Sequence, residues 1–203
     1  MEVLLLAVAI LVALAFRPWS TLRHMASRGP WIAACVVLAC LWSAQGVLPT
    51  ALPMQLSGAC LLVLMFGWPV AVLTMLPIAL AESWLAGGGW THAIGLAFWN
   101  GLLPASIALA LGVATRRWPH VFVYILGRAF LVTAVAVGVS GALRVWLAAG
   151  PAGTDTTALV AAGVMVAWGE AFATGALAAI FVAFRPDWLL TYSDSRYLPS
   201  PGA

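Results

Sequence analysis

The sequence predicts an all-α integral membrane protein of about seven transmembrane helices, N-terminus outside and C-terminus inside. Three observations carry that expectation. Of 203 residues, 64% are hydrophobic and 7% charged, where a soluble domain has about 25% charged residues. The mean hydropathy is +1.06 over the whole chain. The basic residues are all arginine, and most lie between apolar segments, so the net charge of +3 reports topology and not nucleic-acid binding.

Segment one, about 1–16, is short against the ~20 residues of a full span. Ala13-Leu14-Ala15 resembles a signal-peptidase site. Without a positive n-region and with Glu2 after Met1, the segment reads as a retained helix. The loop Arg17 to Pro30 carries Arg17, Arg23, His24 and Arg28 and is placed in the cytoplasm. Segment two runs from Trp31 to Leu48. Segments three and four, about 52–66 and 69–86, form a helical hairpin turning at Gly67-Trp68-Pro69. Gly87-Gly88-Gly89 leads to segment five, Ala93 to Ala114, closed by Arg116-Arg117 on the inside. Segments six and seven, about Val121 to Leu147 and Ala158 to Phe184, flank a turn-rich linker with Gly150-Pro151 and Asp155. Residues 1–186 thus form one polytopic domain, and 187–203 a cytoplasmic tail. Trp19, Trp31, Trp68, Trp90, Trp118 and Trp188 flank segment ends as interfacial anchors. Cys35, Cys40 and Cys60 sit in apolar runs without CxxC spacing, which reads as buried free thiols.

Four charges stand inside apolar segments: Glu82, Arg128, Arg144 and Glu170. Unpaired, each costs at least about 2.5 kcal/mol at mid-membrane, so pairing is expected. Matching depths suggest Glu82–Arg144 near the outer surface; Arg128 and Glu170 stand roughly 10 Å apart in depth, a gap the long Arg side chain could partly cover, and the pairs read either as helix clamps or as the edge of a cation site. Asn100 and Pro104 in segment five add a polar group and a helix breaker, which marks the stretch Leu52 to Asn100 as the wall of a small site. His92 beside the glycine turn is either a solvated loop residue or a metal ligand. Met54, Met65, Met75 and Met165 offer soft sulfur but read first as packing. Gly138-Val139-Ser140-Gly141 matches a GxSG nucleophile motif. No histidine follows His120 to serve as its base, so small-residue helix packing explains it better, and no enzyme is expected.

Three stretches together carry a family resemblance. Gln55-Leu56-Ser57-Gly58, followed by Leu61 to Pro69, resembles an H-x-T-G stretch and its F-G-x-W-P turn. Leu85 to Gly89 with Thr91 resembles an A-H-G-G-L-T-T turn. Gly169-Glu170-Ala171, in a helix ending at Arg185-Pro186, resembles an A-E-G or G-E-A core. From about Leu52 to Pro186 the chain resembles the membrane substrate-binding components of cobalt and nickel energy-coupling-factor transporters, the CbiM/NikM type. The resemblance implies uptake of a divalent transition metal as cargo, with no resident cofactor. It implies a bacterial-type inner membrane and a separate ATPase and transmembrane coupling subunit as partners. The chain has no Walker A motif of its own. The family's metal site uses the N-terminal amine, the next peptide nitrogen, a His at position two and the His of H-x-T-G. Glu2, Gln55 and Gly87 stand where the resemblance would place histidines. Glu2, Met54, Gln55 and His92 are the candidate ligands that remain. The alternative expectation is a non-transporting assembly or accessory protein on the same scaffold.

Overall fold

The computed structural model describes residues 1–19, 28–47, 55–147 and 156–197, and every regular element among them is helical. The helices are α1 (Glu2–Ala15), α2 (Arg28–Val47), α3 (Ala59–Phe66), α4 (Trp68–Leu85), α5 (Gly89–Arg117), α6 (Val123–Leu147), α7 (Thr156–Phe184) and a short α8 (Asp194–Tyr197). Among the described residues, four are long and apolar enough to cross a membrane: α4, α5, α6 and α7. Apolar stretches in α1 and α2 are shorter. The chain is an all-helical membrane protein, and large apolar side chains such as Leu4, Leu11, Val36, Phe172 and Ile180 face outward from the bundle, as lipid favours.

The segment expected over 52–66 is not a full helix. Residues 52–54 lie outside the described residues, Gln55 to Gly58 are non-helical, and α3 has 8 residues, roughly 12 Å at 1.5 Å per residue. Gly58 explains the late start. Its φ is +71°, and a Cβ there would run into Leu38, so the left-handed turn into α3 needs glycine. Seven of the eight α3 residues are buried, from Ala59 to Phe66 with Leu61 the exception, which marks a helix enclosed on all sides. The expected turn between segments three and four falls on Gly67, φ +80°, and Pro69 occupies the first turn of α4, where its missing N–H costs nothing.

Around α3 the other helices pack in sequence. α2 and α1 lie on α4, α4 lies on α5, and α6 packs along α5 and α7. Where α3, α5, α6 and α7 meet, Cys60, Ala108, Val132, Ala136, Val137 and Ala167 form a compact second core. Small residues let these helices approach. Gly138 sits 3.7 Å, as a virtual Cβ, from Ala167. Ser140 Oγ donates to the Ala136 carbonyl one turn back, at 2.7 Å. The GxSG run is therefore helix packing. Two expected interfacial tryptophans turn inward instead: Trp31 Nε1 donates to Thr74 Oγ1 at 3.0 Å, and Trp68 Nε1 to Ser106 Oγ at 3.1 Å.

The chain past α7 folds back on the bundle. The Leu190 and Thr191 amides donate to the carbonyls of Met65 and Leu64, at 3.1 and 3.3 Å, closing the C-terminal end of α3. Leu189, Tyr192 and Tyr197 are buried, and Tyr192 and Tyr197 ring Tyr124 at centroid distances of 5.0 and 5.2 Å.

Candidate functional site

Two helix irregularities create the polar interior. α5 is α-helical over Gly89–Leu96 and Leu103–Ala114, and a π segment, Ala97–Leu102, separates them. Pro104 is the local cause. It has no N–H to give to the carbonyl of Asn100 four residues back, and the ladder widens there, with Leu103 N–H bonding Phe98 O. Ser57 Oγ donates to the Asn100 carbonyl instead. Single-turn π insertions in helices concentrate at functional sites. The second irregularity is α1. At 14 residues it extends only about 21 Å, and its first residue is level with the middle of α5.

That level is where the candidate residues meet. Trp99 Nε1 donates to Glu2 Oε1 at 2.8 Å, and Glu2 Oε2 lies over Gly95. Asn100 Nδ2 donates to Gln55 Oε1 at 2.7 Å. Arg144 Nη1 makes a long contact to Asn100 Oδ1, at 3.4 Å, and lies close enough to Glu2 to feel its charge. A guanidinium only donates, so Arg144 fixes which way the Asn100 amide faces, and Asn100 in turn fixes Gln55. Just below, Glu170 is buried at 3% exposure and accepts the backbone N–H groups of Ser57 and Gly58 at 2.7 and 2.9 Å. These amides precede α3, and a carboxylate placed there satisfies donors that lipid cannot.

The expected charge pairings are corrected by these contacts. Glu170 serves the entry to α3 and not Arg128. Arg128 is buried, and its guanidinium lies over Gly112, 3.3 Å from a virtual Cβ there. Glu82 is not with Arg144. Its carboxylate faces His92 Nδ1 at 3.6 Å, while Arg144 faces Asn100. Depth matching compares side-chain charges only. It leaves out the backbone amides that meet Glu170 and the side-chain amide that meets Arg144.

Of the candidate ligands, the structure unites Glu2 and Gln55 through Trp99 and Asn100. It leaves His92 apart, in contact with Glu82 and Ser83 at the start of α5, eight residues or roughly 12 Å of helix from Asn100. Met54 lies outside the described residues. Trp99 and Ser57 were not foreseen as site residues; the signal for them was Pro104, whose missing amide loosens the helix beside Trp99. Among the described residues no group of three or more His, Cys, Asp or Glu side chains is arranged to hold a metal ion. The cluster offers oxygen from one carboxylate and two amides, a harder donor set than imidazole.

With the geometry in place, the comparison with known families decides the lineage. Residues 2–188 match the family described as the cobalt uptake substrate-specific transmembrane region, CbiM. The chain belongs to this family. The CbiM match covers α1 and Glu2 as well as the stretches that carried the resemblance. CbiM proteins are membrane transport components and not an enzyme family. No curated protein and no solved structure matches the chain.

Proposed function

We propose that this chain is the substrate-specific membrane component of a cobalt- or nickel-class uptake system of the energy-coupling-factor type. ATP hydrolysis comes from separate subunits through a transmembrane coupling protein, in a bacterial-type inner membrane with Met1 outside and the tail inside. The cargo is a divalent cation, and its site is the cluster of Glu2, Gln55 and Asn100. One observation carries the reading: the start of α1 brings the Glu2 carboxylate to Trp99, next to the Asn100–Gln55 pair. Membership of CbiM supplies the transport class. Gln55 and Glu2 in place of histidines favour weaker holding of soft ions and a larger part for oxygen.

The test is cobalt uptake by cells expressing the chain together with the ATPase and coupling subunits of such a system. Uptake above that of cells without this chain, lost in Glu2→Ala, supports the reading. Uptake unchanged by the chain removes it. The second reading is a non-transporting assembly protein. What favours it is the saturation of Gln55 and Asn100 by donors of the chain itself. Stable co-purification with an unrelated membrane complex, without the ATPase, would support that alternative.

A further inference from the structure

Every oxygen that faces the cluster from Glu2, Gln55 and Asn100 in a described hydrogen bond is met by a donor of the same chain. Trp99 meets Glu2, Asn100 meets Gln55, and Arg144 meets Asn100. The first two donors are neutral. The third is a permanent cation, on an apolar helix where charge is costly. Its contact is also the weakest of the three, at 3.4 Å against 2.7 and 2.8 Å. Arg144 stands three residues before Leu147, the last residue of α6, so its long stem can carry the guanidinium toward the membrane surface.

We propose that Arg144 is a tethered competitor for the cargo cation, a specificity-determining residue whose guanidinium holds the Asn100 oxygen and balances Glu2 while the site is empty. A divalent ion entering between Asn100 and Glu2 meets a like charge at close range, so Arg144 leaves as the ion arrives. No bond is made or broken; one cation replaces another on the Asn100 oxygen. The inference rests on the cargo reading of this cluster and adds what sets its affinity.

The test compares the purified full chain in detergent with Arg144→Gln, Arg144→Met and Arg144→Lys, titrated with cobalt chloride by calorimetry. Both neutral variants are expected to bind cobalt at least about ten-fold more tightly than the unchanged chain. Arg144→Lys, which keeps the charge, is expected to stay within about three-fold of it. Equal binding by the unchanged chain and the neutral variants overturns the inference and leaves the cargo reading standing. Binding by the neutral variants alone upholds the inference and removes cobalt as the cargo of the unchanged chain. No binding by any of them overturns the inference, as does tight binding by Arg144→Lys. Should neither neutral variant keep the helical content of the unchanged chain, modification of Arg144 by phenylglyoxal decides. Millimolar cobalt is expected to speed it in the unchanged chain, and an unaltered rate overturns the inference.

Discussion

Glu170 on α7 and Gly58 at the head of α3 are 112 residues apart in sequence and 2.9 Å apart at Oε1 and N. The second carboxylate oxygen takes the neighbouring Ser57 amide at 2.7 Å. A helix that begins inside a bilayer exposes amide donors where no water can reach them, and a carboxylate from another helix meets that need directly.

Glu170→Ala is therefore expected to destabilise the protein by about 3 kcal/mol, because two buried donors lose their acceptor. Glu170→Gln keeps one acceptor oxygen and should cost less. Adding Arg128→Ala should be additive with Glu170→Ala within about 0.5 kcal/mol, as for sites that share no partner. Thermal unfolding in detergent of the unchanged chain, the three single variants and the double variant checks this. Rescue of one substitution by the other would restore the ion pair and refute the account.

Trp99→Phe removes the indole donor from Glu2. A hydrogen bond to a charged group contributes about 2 kcal/mol, so the melting temperature should fall. In a Glu2→Ala background, which leaves the indole no acceptor at that position, the same substitution should do much less. An equal loss in both backgrounds would mean that the Trp99 effect is packing alone.

Glu2→His with Gln55→His puts two imidazoles where the structure holds a carboxylate and an amide on either side of the Trp99–Asn100 turn. Imidazole suits nickel and cobalt, and nickel affinity measured by calorimetry should rise at least about ten-fold over the unchanged chain. Unaltered affinity would show that the two positions do not converge on one ion.

The tail offers a prediction in pH. Burial, and then the hydrogen bond and negative charge of Asp194, push the Tyr192 phenol above its ordinary range. A phenol whose folded-state pKa exceeds its unfolded value favours the docked form below the unfolded value, about 10. That contribution is lost as pH climbs through the raised folded value. The phenolate absorbance near 295 nm that Tyr192→Phe removes, taken as the difference between the two proteins, should thus titrate above about pH 10. A difference signal that titrates at about pH 10 would mean that Tyr192 is freely solvated.

Much of the fold was legible because lipid imposes a coarse rule on composition. The long apolar runs that became α4 to α7, the break at Gly67 and the turn at Gly87 to Gly89 all follow from hydropathy and glycine chemistry. The same rule failed for α3. Leu56 to Gly58 are apolar or small and lead without a proline into the apolar run from Ala59, yet Gly58 takes a left-handed conformation against Leu38, a contact made across 20 residues of chain. In the site, Glu2, Gln55 and Asn100 could be picked out as polar groups in a greasy chain. Their partners could not, because backbone amides and indole nitrogens are present in every sequence and become selective only once a helix is broken or ends early.

The π segment of α5 carries one such break, and its effect extends down the helix. One inserted residue turns everything after it by about 100° relative to an uninterrupted helix. Upstream, Trp99 and Asn100 look toward α1 and Gln55; downstream, Ala105, Ala108 and Gly112 present a flat face to α3 and α6, and Ser106 reaches Trp68. Deleting Gly101 would remove one residue from the π segment and rotate one of these faces out of place. The phase of a single rod thus couples the polar chamber to the mechanical seam beneath it.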